Sequence, residues 1–88
     1  MAWTIEYAET AKKQLRKLDR GTARRIADFM DQRIALSEDP REMGKALKGP
    51  LGDLWRFRVG DYRILCDIQD GVIMVLVLQI GNRREVYR

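Results

Sequence analysis

Histidine is absent from these 88 residues, cysteine occurs once, at Cys66, and serine once, at Ser37. Without histidine no Ser-His-Asp or Cys-His arrangement can be built, and zinc catalysis through His or Cys ligands is excluded with it. A lone cysteine excludes an internal disulfide and a cysteine-based metal cluster. In its strand pattern Cys66 reads as a small buried apolar group. No metal and no cofactor is expected. The longest apolar run, residues 72–78, is far short of the ~20 residues needed to span a bilayer. Residues 3–7 do not begin a basic stretch followed by an apolar one, so no signal peptide is read. A soluble, cytoplasmic protein without a membrane partner is the expectation. What is left for proton transfer is Asp, Glu, Lys, Tyr and, less suitably, Arg.

Hydrophobic residues make up 45% of the chain, enough for a folded core and too many for a disordered tail. The length suits one domain over residues 1–88. Seventeen Lys and Arg against thirteen Asp and Glu give +4, which favours a polyanionic partner. Trp3, Ile5 and Tyr7 alternate with Thr4 and Glu6, the period of a half-buried strand. Ala8, Ala11, Leu15 and Leu18 then recur at helical spacing, with Lys12, Lys13, Arg16 and Lys17 on the other face. Residues 19–21 read as a break and Thr22 as the cap of a second helix, whose buried stripe is Ile26, Phe29, Met30, Ile34 and Ala35. Residues 37–53 read as a loop with at most one short turn. Three strands follow, at 55–59, 62–68 and 72–80, joined by tight turns at Gly60-Asp61 and Asp70-Gly71. The last run is apolar at nearly every position and reads as the central strand, covered on both faces. The fold class is α+β in the order β-α-α-β-β-β, an antiparallel-rich small sheet with two N-terminal helices packed on one face.

Strand alternation places the arginines. Trp55, Phe57 and Val59 share one face and Arg56 and Arg58 the other; Tyr62, Ile64, Cys66 and Ile68 are core, leaving Arg63, Leu65 and Asp67 opposite. With the helices over the apolar face, Arg56, Arg58 and Arg63 lie together on the exposed one. Guanidiniums so placed repel each other, a cost that suits an anion-binding site; the alternative is a solvated face neutralised by Asp61, Asp67 or Glu85. Trp3 and Trp55 fall in phase with their strands' apolar residues and read as core.

The stretch LKGPLGDLWRFRVGDYRILCDI, followed by VLVLQIGNRREVYR, resembles the RelE family of bacterial toxins, and the resemblance covers essentially the whole chain. It implies a RelE-like fold and a toxin that enters the ribosomal A site and cuts messenger RNA there, held inactive by a cognate, RelB-like antitoxin. The implied reaction is attack of a ribose 2′-hydroxyl on the adjoining phosphate, giving a 2′,3′-cyclic phosphate without metal. By the same resemblance Arg63 stabilises the phosphorane, Arg83 serves the leaving group, and Tyr87 stacks on or orients the nucleotide.

Arg56 and Arg58 stand where well-studied members carry lysines, one of them proposed as the general base. A guanidinium, with a pKa above ~12, is a poor base, so both are assigned to phosphate. Asn82 stands where other relatives have a histidine. Tyr87, Glu85 or no residue at all is the base; cations around Tyr87 favour its phenolate. Lys12, Lys13, Arg16, Lys17, Arg20, Arg24 and Arg25, with Arg84 and Arg88, are the candidates for ribosomal RNA contact, weighed against plain solubility and helix pairing. Two other functions fit the same fold: a ParE-type inhibitor of DNA gyrase, and a non-catalytic RNA-binding relative.

Overall fold

Ile5 and Tyr7 alternate with Thr4 and Glu6, and in the computed structural model, which describes residues 2–47 and 53–82, they form β1 (Thr4–Tyr7) with both apolar side chains on the core. Helix α1 (Glu9–Lys17) buries Ala11 and lays Leu15 against the same core, with Leu18 just beyond its end. Glu9 in its first turn and Arg16 and Lys17 in its last oppose the helix dipole favourably.

The second helix is capped differently from the sequence reading. Asp19, not Thr22, is the N-cap of α2 (Arg20–Asp28): its carboxylate accepts from the Thr22 amide at 3.0 Å and from the Thr22 hydroxyl at 2.7 Å. Gly21 therefore lies inside the first turn. From Phe29 to Ile34 the helix widens into π-helical turns, closed by a 2.8 Å bond from the Ala35 amide to the Met30 carbonyl. Every fourth residue of an α-helix advances about 40° beyond a full circle, and the wider turns offset that drift. Ile26, Met30 and Ile34 accordingly all reach zero exposure.

The sheet has five strands in the order β1-β5-β4-β3-β2. The tail of the loop supplies β2 (Lys45–Ala46), two residues the sequence reading left unstructured, after a 3₁₀ turn at Pro40–Met43. Strands β3 (Leu54–Val59), β4 (Tyr62–Gln69) and β5 (Met74–Asn82) are antiparallel neighbours, and β1 joins β5 in parallel. The expected central strand is thus off centre: β4 occupies the middle, and β5 starts at Met74, leaving Val72 61% exposed. Its burial is one-sided, with Val75, Val77 and Ile80 on the core and the residues between them half-buried.

Gly60-Asp61 makes the expected two-residue hairpin between Val59 and Tyr62, with Gly60 at φ +58°, the conformation a type II′ turn requires at its first position. Asp70-Gly71 does not make a two-residue turn. A 3₁₀ turn, Asp70–Val72, is followed by Ile73 at φ +49°, a left-handed conformation that a β-branched residue adopts only under strain. The Ile73 carbonyl accepts from the Thr4 amide at 2.9 Å, so the strained residue helps seat β1.

The core lies between helices and sheet: Phe57, Ile64, Cys66, Ile68, Val75, Val77 and Ile80 meet Ala11, Ile26, Met30 and Ile34, and the Phe29 and Phe57 rings lie 6.3 Å apart. Trp3 and Trp55 pack at its margin, as their phase predicts. Burial pushes the Cys66 thiol pKa up, in keeping with a packing role. Arg41 fastens the loop across this frame. Its guanidinium holds Asp70 with both nitrogens, reaches Asp39 at 3.3 Å, and lies 5.9 Å from the Trp55 ring.

Two outcomes follow from this packing. A Cβ at Gly44 would sit 2.7 Å from the Arg56 carbonyl and 2.9 Å from the Phe57 ring. Gly44→Ala is therefore expected to lower unfolding free energy by about 1–3 kcal/mol in urea titrations. The Asp70 carboxyl is held below the usual carboxylate range, first by its hydrogen bond from Arg41. A depressed folded pKa contributes stability above the unfolded value of about 4 and loses it as pH falls through the folded one. Between about pH 5 and 2, Asp70→Asn should flatten the fall in urea midpoint seen for the wild type.

Candidate functional site

Helices cover one face of the sheet, and the strand register fixes what stands on the other. Across the strands run transverse rows: Lys45, Arg56, Leu65 and Gln79; then Arg58, Arg63 and Gly81; and, on the other side of the first row, Leu54, Asp67, Leu76 and Glu6. The predicted trio, Arg56, Arg58 and Arg63, is brought together. Arg58 and Arg63 are direct cross-strand partners, and Arg56 lies diagonal to Arg63.

Directly paired residues hold their Cβ atoms about 5 Å apart, and like charges so placed destabilise a sheet. Asp67 stands on the same face, diagonal to Arg56. Asp67 accepts from Gln69 at 3.0 Å, and Arg58 and Arg63 have no ion-pair partner among the described residues. Gly81 ends their row, leaving it without a side chain on the β5 side. The arrangement is a shallow cationic surface: two guanidiniums side by side, a third diagonal to them and the Lys45 ammonium beyond, suited to the non-bridging oxygens of a phosphate. Among the described residues no three acidic or cysteine side chains converge as a metal site.

Sequence reasoning missed Lys45 and Gln79 on this face. Lys45 sits on a strand too short to show a period, and Gln79 belongs to a run whose apolar character hides its alternation. Leu65 was placed correctly but is 5% exposed, forming a closed floor between Arg56 and Gln79. Arg83, Arg84, Glu85, Tyr87 and Arg88, all assigned roles from the sequence, lie outside the described residues. Tyr7, a described tyrosine, belongs to the core side; burial first, then Asp31 and Cys66, pushes its pKa up to about 12, which removes it as a base.

The helical cations form a separate surface. Lys12, Lys13, Arg16, Lys17, Arg20, Arg24 and Arg25 are exposed on the layer that covers the opposite sheet face. Lys12 pairs with Glu9 at 3.5 Å and Arg24 with Asp28 at 3.9 Å, contacts of small value at such exposure. Arg25 lies beside the β3–β4 hairpin. Its guanidinium would come within 3.3 Å of a Cβ on Gly60, at the tip of the β3–β4 hairpin.

Residues 5–87 match the family described as "ParE toxin of type II toxin-antitoxin system, parDE". Two curated relatives come from Mycobacterium tuberculosis: Toxin RelG, 31% identical over the whole of this chain and 99% of that protein, and Toxin RelE, 33% identical over 96% and 84%. The chain is a RelE-family toxin. Its fold superposes on the toxin of the Mycobacterium tuberculosis RelBE2 toxin-antitoxin complex with a TM-score of 0.86 at 26% identity, covering 94% of this chain and all of that one. The archaeal RelE-RelB complex of Pyrococcus horikoshii gives 0.76 at 27% identity, covering 98% and 100%. It is a toxin of a type II toxin-antitoxin system, with the α+β architecture of those relatives.

In this RelE-family toxin the arginine pair works against folding. Arg58→Gln is expected to raise unfolding free energy by a few tenths to ~1 kcal/mol at low salt, a gain that shrinks in 1 M salt as repulsion is screened. Urea titrations at two salt concentrations measure both.

Proposed function

We propose that this toxin is a ribosome-dependent, metal-independent endoribonuclease that cuts messenger RNA in the A site, acting in the cytoplasm and restrained by a RelB-like antitoxin. The observation that carries the reading is the Arg58–Arg63 pair, in register on the sheet face away from the helices and without ion-pair partners among the described residues. Two adjacent guanidiniums that destabilise the free protein become favourable once a phosphate lies between them. That difference is larger for a phosphorane, which carries more charge than the ground state, so part of the binding energy appears in the transition state.

In the proposed reaction the 2′-hydroxyl oxygen attacks the adjoining phosphorus, its proton passes to a base, and the 5′-oxygen leaves with a proton. The products are a 2′,3′-cyclic phosphate and a 5′-hydroxyl. Arg63, with Arg58 beside it, stabilises the phosphorane, and Arg56 and Lys45 hold the flanking phosphate. Arg83 serves the leaving oxygen and Tyr87 orients the nucleotide, with Tyr87, Glu85 or ribosomal positioning supplying the base function. Lys12, Lys13, Arg16, Lys17, Arg24, Arg84 and Arg88 contact ribosomal RNA phosphates, which makes association salt-sensitive. RelE-type relatives solved as complexes with their antitoxins support the antitoxin partner.

The ParE family match favours a second reading, inhibition of DNA gyrase. A defined messenger, naked and on programmed ribosomes, separates the two. Cuts on ribosomes only, with cyclic phosphate ends, are expected; no cut in either sample, with supercoiling by gyrase inhibited, would transfer the assignment. Arg63→Ala should slow cutting by roughly 10²–10³-fold, the usual loss for one transition-state donor. Tyr87→Phe should slow cutting with affinity kept, whereas a mere RNA binder would be indifferent to it.

A further inference from the structure

Between Met74 and Ile80 strand β5 carries a single polar side chain, Gln79. Plain alternation would send it into the core beside Val75 and Val77. It does not go there, because the β4–β5 ladder slips: Leu65 pairs with Gln79 but Cys66 pairs with Val77, leaving Leu78 as an inserted residue. This bulge exchanges the faces, so Ile80 enters the core at 2% exposure and Gln79 comes out among the arginines.

The switched backbone is held from the helix side. Gln14 on α1 accepts the Ile80 amide at 2.6 Å, occupying a donor that β1 does not reach, since the β1–β5 pairing ends at Tyr7 and Val77. The side-chain amide of Gln79 itself has no hydrogen-bond partner among the described residues. It shares a row with Arg56 and Leu65 and stands one row from Arg58 and Arg63, about 7 Å along the strands, the scale of a single nucleotide.

We propose that Gln79 contacts a nucleobase beside the phosphate held by Arg58 and Arg63 and gives the site a preference for adenine there. A planar amide presents one donor and one acceptor side by side, the pairing that adenine's exocyclic amine and ring nitrogen complete. Leu65 closes the floor beneath, where water would otherwise compete for the same hydrogen bonds. Gln14 is a positioning residue, acting on Gln79 through the Ile80 amide.

This inference rests on the RNA-cleaving reading, and its test keeps the two apart. Programmed ribosomes carrying each of the four bases at each A-site position are cut by wild type, Gln79→Leu and Gln79→Glu, with circular dichroism verifying that each variant is folded. Wild type should favour adenine at one position by about tenfold. Gln79→Leu should erase that preference, and Gln79→Glu, an acceptor only, should move it to cytosine. Gln14→Leu should weaken the preference and Gln14→Glu, which keeps the acceptor, should retain it. A wild-type preference for another base, or one that Gln79→Leu retains, overturns the proposal. If the wild type cuts nothing, the nuclease reading falls, and binding of single-base ribo-oligonucleotides to the free toxin decides the remainder: tighter binding of the adenine oligomer, lost in Gln79→Leu, upholds the base contact, and equal binding of all four overturns it.

Discussion

Burial of one sheet face beneath the helices governs everything else in this toxin. The helical layer is only one helix deep, and it dries a single face, on which Phe57, Ile64, Cys66, Ile68, Val75 and Val77 must all stand. Because successive strand residues alternate, that demand leaves no freedom about the other face. Arg56, Arg58, Arg63 and Lys45 are displayed together as a by-product of which neighbours had to be buried. A slip of one residue anywhere in β3 or β4 would drive guanidiniums into the core, so hydrophobic burial enforces this arrangement of cations.

The site and the fold pull in opposite directions, and the structure keeps them apart. Side chains that stabilise sit between helices and sheet; those that repel sit where water and salt soften their repulsion. The Arg41 contacts with Asp70, Asp39 and Trp55 lie at the end of the sheet where β4 turns into β5, away from the Gly60 hairpin that flanks Arg58 and Arg63. The ion pairs of Arg41 thus lie on the frame, while Arg58 and Arg63 have no ion-pair partner among the described residues.

Much of this was legible before any coordinates. Ile5 and Tyr7, the Ala11-Leu15-Leu18 stripe, and the arginines of β3 and β4 each sit in a clean period of two or of 3.6, and burial follows period. Where the reading failed, local pattern was silent or ambiguous. Asp19 and Thr22 are both good caps three residues apart, and only the geometry shows that one caps through the other. Two residues of β2 carry no period. The apolar run in β5 looks the same from both faces, so neither its bulge nor its one-sided burial could be read, and Ile73 carries no mark of its left-handed backbone. Arg83 and Tyr87 were named through family likeness, a kind of inference that local physics does not replace.

The parallel pairing of β1 with β5 sets a constraint in time as well as in space. Thr4 to Tyr7 pair among the described residues with Met74 to Val77, which stand some seventy positions later in the chain. Until β5 is in place, β1 has no partner among the described strands and β4 lacks one of its two. Contacts so distant in sequence form late and slowly. The face that carries Arg58 and Arg63 is thus complete only once a contact spanning most of the sheet's sequence has closed, which makes the β1–β5 docking a late step of folding.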